Sequence, residues 1–113
     1  MKDSVILVTH YGMGHSQLAD LPLKLIDKYF NLLLQGSELP RAICFYTDGV
    51  KLTISGSPVL NPLKELEHKG VRLIICSTCL DAMGLTKEVK VGIIGGMPDI
   101  LEAQAKADKV ISI

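Results

Sequence analysis

The sequence contains no tryptophan, and only two phenylalanines and three tyrosines among 113 residues, so any core must be built from aliphatic side chains. Neither sign of charge is in excess, because twelve Lys and Arg balance twelve Asp and Glu. A nucleic-acid partner would call for a basic stripe, and none is present. No apolar run approaches the roughly 20 residues that a membrane-spanning helix needs, and no basic n-region followed by an apolar h-region opens the chain. Cysteine is scarce and odd in number, three in all, which does not fit the disulfide framework of a small secreted domain. These absences predict a soluble, cytoplasmic protein with reduced thiols and with neither nucleic acid nor membrane as partner. The length accommodates one domain, residues 1–113, with a sizeable core, and is too short for two. There is no internal repeat and no low-complexity segment.

What is present is an alternation of strands and helices from end to end. Residues 4–9, 41–47, 71–75, 90–94 and 109–113 are short and largely apolar, and 71–75 is β-branched as well, the pattern of buried strands. Between the first two, residues 16–35 carry Leu18, Leu21, Leu25, Tyr29 and Leu32 at helical spacing, with Gly36 as a stop. Pro22 either kinks this helix or marks its first turn, with residues 16–20 as a looser lead-in. A turn-rich loop at 48–57 precedes a second helix capped by Ser57 or Asn61, with Leu60, Leu63 and Leu66 on one face and its end at Gly70. A third helix begins near Leu80, and a fourth spans 98–107. Strands apolar on both faces need helices on both sides. The predicted fold is therefore α/β, a three-layer sandwich of flavodoxin-like style with a parallel five-stranded sheet. Such sheets carry functional loops at the carboxyl ends of their strands, which gathers residues 10–15, 48–57, 76–79 and 95–98 on one edge.

The residues on that edge bear the chemistry. Cys76-Ser77-Thr78-Cys79 places two thiols three residues apart where a strand gives way to a helix. A thiol beside the positive end of a helix is favoured as thiolate, the nucleophilic form. Cys76 is the predicted nucleophile and Cys79 a resolving thiol one turn on; the backbone of Ser77 and Thr78 lies between them. Cys44, inside a strand, reads as core. His10 and His15 occupy the loop after the first strand, either as solvated loop residues or as proton-accepting neighbours of a thiolate. With the cysteines they also have the ligand types of a zinc site, but nothing in the spacing fixes a geometry, and no metal or cofactor is predicted. Gly12 and Gly14 do not form a dinucleotide fingerprint, since Gln17 takes the third glycine position. Gly49 follows Asp48 in a turn. Gly95-Gly96 offers either exposed amides for an anion or a tight strand-to-helix connection.

Gly49-Val50-Lys51-Leu52, Gly56-Ser57-Pro58-Val59-Leu60, Leu63-Lys64-Glu65-Leu66, Gly70-Val71 and Cys76-Ser77-Thr78-Cys79-Leu80-Asp81 with Gly84-Leu85 together resemble the DsrE-like superfamily. Val91-Gly92 and Met97 with Asp99-Ile100 continue the likeness, which runs from about residue 41 onward and is weaker before it. Within the superfamily the sequence is most similar to the DsrE-like domain of YedF-type proteins, described as sulfurtransferase-like and linked to selenium metabolism. YedF-type proteins also carry an amino-terminal TusA-like domain, which this sequence does not contain. The family's loop after the first strand is typically acidic, whereas here it reads His10-Tyr11-Gly12-Met13-Gly14-His15.

The resemblance implies a single small α/β domain, a homo-oligomer, and a persulfide carried on the cysteine eight residues before Gly84, which is Cys76. The partners it implies are sulfur-donor and sulfur-acceptor proteins or small thiols. The expected function is that of a sulfurtransferase or sulfur carrier. Two alternatives come from other classes: a non-catalytic module binding a small ligand or partner on the same edge, and a dithiol redox protein.

Overall fold

In this computed structural model, which describes residues 2–113, the first apolar run folds as β1 (Ser4–Val8) with all five residues buried. β2 (Ala42–Phe45) is buried throughout, and β3 (Arg72–Cys76) everywhere except Arg72. Because no side chain of β1 or β2 faces water, both faces of the sheet must be covered, and the intervening segments supply that cover. The shorter β4 (Ile93–Gly95) and β5 (Lys109–Ser112) are largely exposed, as strands at sheet edges can be. The strand order is β4-β3-β2-β1-β5 and every pair is parallel. Ile6 lies opposite Ile43, and Ile43 opposite Leu73, so the aliphatic residues align across the sheet as the core requires.

Four α-helices connect the strands: α1 (Leu21–Gln35), α2 (Leu60–His68), α3 (Ser77–Met83) and α4 (Met97–Lys106). Crossovers between parallel strands are right-handed. The steps β1 to β2, β2 to β3 and β3 to β4 run in one direction across the sheet, which puts their helices on one face, where α1 and α2 pack together. The return from β4 to β5 runs the other way, so α4 covers the opposite face, burying Ile100 and Ala103 against it. The predicted three-layer α/β sandwich is the observed fold. No helix among the described residues is long and apolar enough to cross a membrane.

Several local expectations change. α1 starts at Leu21 with Pro22 in its first turn, and residues 16–20 are the irregular lead-in, where the Leu18 N–H donates to Ser16 Oγ at 3.1 Å. The face of α1 that packs is Pro22, Ile26 and Phe30, while Leu18, Leu21, Leu25 and Leu32 lie exposed. Neither Ser57 nor Asn61 is the α2 cap. Val59 stands there, and Ser57 Oγ instead accepts the Val59 N–H at 3.2 Å. A 3-10 helix, Thr47–Thr53, begins one residue before the expected 48–57 loop and takes up its first part, with Val50, Leu52 and Thr53 buried. β4 begins at Ile93 rather than at residue 90, because Gly92 turns the chain with φ of +83° directly over Leu73 and Ile75.

Candidate functional site

The strand-to-helix junction after β3 fixes both thiols. Cys76 is the last residue of β3, and its extended backbone (φ −66°, ψ 118°) hands the chain straight to α3. Its side chain belongs to the core and the residue is 1% exposed. Cys79, on the first turn of α3, is only partly buried and reaches the surface. Both are free thiols, and Cys76 is near enough to Cys79 to bear on its ionisation. α3 is short because Gly84, with φ of +68°, closes it: its N–H reaches the Asp81 carbonyl, and the Leu85 N–H reaches that of Leu80 at 2.9 Å. Seven residues make a weak macrodipole. The polar contact on the thiol pair comes from elsewhere.

It comes from the chain leaving β2. Tyr46 continues the strand, its N–H donating to the Val8 carbonyl at 3.1 Å. Thr47 then takes φ of +53°, the left-handed region, and is the sole non-glycine residue to do so among those described. Its backbone N–H donates to Cys79 Sγ at 3.1 Å. Two residues on, Gly49 packs so closely under β1 that a Cβ there would sit 2.0 Å from the Val8 carbonyl oxygen. The Gly49 N–H closes the turn on the Tyr46 carbonyl at 3.0 Å. Burial pushes the Cys79 thiol above its ordinary range, the Thr47 N–H offsets part of this, and neighbouring Cys76 adds to the rise, so the thiol stays raised. The segment just ahead of the expected 48–57 loop is thereby joined to residues 76–79 by a direct contact. A β-branched residue gives no sequence signal for a left-handed turn, so Thr47 escapes sequence reading.

The family comparison decides what such an edge belongs to: the DsrE/DsrF-like family matches residues 5–113. This chain is a member of the DsrE/DsrF-like family. That family is associated with sulfur relay. No curated protein matches the chain by sequence. Among solved structures, the DsrE-like chain is similar to MTH1491, a protein of unknown function from Methanobacterium thermoautotrophicum, with a TM-score of 0.69 and 22% identity over 97% of each chain. It is also similar to the ychN protein from E. coli, with a TM-score of 0.66 and 22% identity over 97% of this chain and 98% of the other. BT1422 from Bacteroides thetaiotaomicron, a conserved protein of unknown function, matches at a TM-score of 0.61 and 19% identity, covering 98% and 95%. At these identities the likeness is one of fold.

The other residues that the sequence brings to this edge have varied surroundings in the DsrE-like fold. His10 and His15 are exposed, and the described residues contain no group of three His, Cys, Asp or Glu able to hold a metal ion. Gly12, with φ of +131°, is buried against Pro22, where a Cβ would sit 2.5 Å from the proline carbonyl carbon; it serves packing. Gly14 turns with φ of +68° in open space. Ser77 is half-buried and Thr78 exposed on the first turn of α3. The Gly96 N–H donates to the Asp99 carboxylate at 2.9 Å, so α4 supplies its own anion, and Gly95 lies opposite Cys76 in the sheet. Cys44 is fully buried in β2, its thiol pushed up to about 11 by burial, against a smaller lowering by the Arg72 charge. A cavity of about 220 Å³ on the same edge, lined by Tyr11, Lys51, Ile54, Ser57 and Leu85 among others, is a feature that the motif analysis did not single out.

Proposed function

We propose that this chain is a sulfur carrier that holds sulfane sulfur as a persulfide within the Cys76–Cys79 pair. The observation supporting this reading is the pair itself: two free thiols three residues apart at the junction of β3 and α3, one of them partly open to solvent and held by a backbone N–H. A thiolate attacks the terminal sulfur of a donor persulfide, the sulfane sulfur rests on the cysteine, and an acceptor thiolate later removes it. Both transfers are thiol exchanges, which need an accessible sulfur and a stabilised thiolate. The proposed partners are therefore sulfur-donor and sulfur-acceptor proteins or small thiols. A second copy of the chain is a further proposed partner.

The test is direct. After incubation with a polysulfide donor and alkylation, the intact protein should gain one sulfur atom in mass, and the Cys76→Ser/Cys79→Ser double variant should gain none. An unmodified wild-type protein, with both thiols still alkylatable, would overturn the reading.

A further inference from the structure

Resting on that reading, we infer that the cavity of about 220 Å³ on this edge seats a small carboxylate-bearing molecule with a short apolar body, and that this molecule is the low-molecular-weight thiol whose persulfide supplies the chain's sulfur. The chemistry of the walls selects the ligand. Ile54, Leu85 and the Tyr11 ring are apolar, while Lys51 contributes an ammonium and Tyr11, Ser55 and Ser57 contribute hydroxyls. Among the described residues, no carboxylate lines the cavity. Apolar walls with a few convergent polar groups are the usual form of a small-molecule site. Here those groups are one cation and several donors, so the complementary ligand is an anion. Ser57 Oγ accepts the Val59 N–H at 3.2 Å, which leaves its own proton to donate. Volume limits the size. The cavity lies below the roughly 300–1,000 Å³ of drug-sized pockets, enough for a small organic acid and too little for a nucleotide.

Lys51 also pairs with Asp48 at 3.1 Å, but both side chains are about half exposed. Such a pair is weak. A carboxylate entering the cavity competes for the ammonium on better terms, because it brings apolar contacts with it.

The walls are held by backbone hydrogen bonds. Residues 53–55 are clamped to 88–90, with the Ser55 N–H on the Glu88 carbonyl at 2.9 Å and the Lys90 N–H on that of Thr53 at 2.8 Å. The Ser57 N–H closes a turn on the Ile54 carbonyl at 3.1 Å, with Gly56 at φ of +85° as its third residue. Leu85 is fixed by its N–H bond to Leu80, and Tyr11 by its neighbour Gly12, which is pressed against Pro22. The cavity is therefore formed before any ligand arrives, and binding has little to order.

The link to sulfur is the framework that the cavity and the thiols share. Lys51 lies in the Thr47–Thr53 helix, whose first N–H meets Cys79 Sγ at 3.1 Å. Leu85 follows α3, the helix that Cys76 caps and Cys79 belongs to. A donor held on this edge by its carboxylate and carbon body keeps its sulfur close to the pair, which replaces a bimolecular encounter by a local one. In the transfer, a protein thiolate attacks the outer sulfur of R–S–SH, a new S–S bond forms and the donor's S–S bond breaks. RS⁻ departs and takes a proton from water. The sulfane sulfur keeps its oxidation state and its proton, so no oxidant or reductant is needed.

Two measurements on the full chain test this, the first without sulfur transfer. Isotope-labelled protein is titrated with methylthiopropionate, which cannot donate sulfur, and with its neutral carboxamide. The acid should shift the Ser55, Ser57 and Leu85 backbone resonances saturably and the carboxamide should not. Lys51→Gln should weaken binding of the acid by about fivefold, the scale of one half-exposed charge pair. In the second measurement, the persulfides of mercaptopropionate and of its carboxamide serve as sulfur donors. Wild type should gain sulfur from the acid about fivefold faster than from the carboxamide. Lys51→Gln should lose that preference, whereas Lys64→Gln, which removes an exposed cation from α2, should keep it. Equal shifts with acid and carboxamide, or a donor preference that survives in Lys51→Gln, would overturn the inference and leave the sulfur-carrier reading standing. Cavity binding by a protein that gains no sulfur from either donor would overturn the carrier reading and the donor role, but not the carboxylate site.

Discussion

Cysteine occurs three times in this chain, in three physical environments that one composition count cannot separate. Cys44 lies between Leu7 and Ile74 in the sheet, with no access to water. Its thiol is pushed from an ordinary 9.0 up to about 11, so it stays protonated in the folded protein while the unfolded chain begins to ionise. Between those two values the unfolded state binds fewer protons, and stability must fall as pH rises. The contribution is fully present below pH 9 and is lost as pH climbs toward 11, at up to about 1.4 kcal/mol per pH unit. In urea unfolding, the stability advantage of wild type over Cys44→Ala should therefore shrink from pH 8 to pH 11. A constant difference across that range would show that the folded state exposes this thiol. Cys79 differs from Cys44 because it is only partly buried and a backbone N–H, that of Thr47, gives it a polar partner.

At the scale of elements, the turn from β2 into the Thr47–Thr53 helix links stability to the site. Gly49→Ala would drive a methyl group to 2.0 Å from the Val8 carbonyl oxygen, with backbone rather than a flexible side chain as the obstacle. We expect it to cost about 3 kcal/mol or more in urea unfolding. Gly56→Ala in the following loop, with φ of +85° but nothing within 4 Å, should cost only about 1 kcal/mol of backbone strain. Equal losses at the two positions would mean that the close approach of Gly49 to β1 is not what holds this turn. Among the helices, α1 illustrates why periodicity alone does not choose a face. Leucines occur nearly all round it, so the spacing of Leu21, Leu25 and Leu32 is as regular as that of Pro22, Ile26 and Phe30. Only docking onto the sheet and α2 selects the second set.

Over the whole molecule, the sheet ends in two short edge strands whose outer backbone groups have no strand partner among the described residues. Beside the β4 edge, Ile93, Ile94, Met97 and Leu101 are all exposed, with Leu101 at 63%. An apolar cluster next to an open edge favours association, and we expect a second copy of the chain to cover it. Sedimentation should find a species larger than the monomer, and Ile94→Lys with Leu101→Lys should shift it to monomer without loss of α/β circular dichroism. A wild-type chain that sediments as a monomer at all concentrations would refute this.

The sequence by itself determined the sheet and its parallel sense, because strands such as Val5 to Val8, apolar on both faces, have no stable alternative to burial between helices. It also determined that Cys76 and Cys79 stand at a strand-to-helix junction, since a β-branched run, a glycine five residues beyond the second thiol and the intervening helix formers are all local signals. Tertiary structure alone decided which thiol faces solvent. That depends on how α3 rests beside the Thr47–Thr53 helix, a contact between residues 32 apart in the chain. The left-handed Thr47 was likewise decided there: its strain is unfavourable locally and is tolerated only because β1, through Val8, constrains the turn from outside.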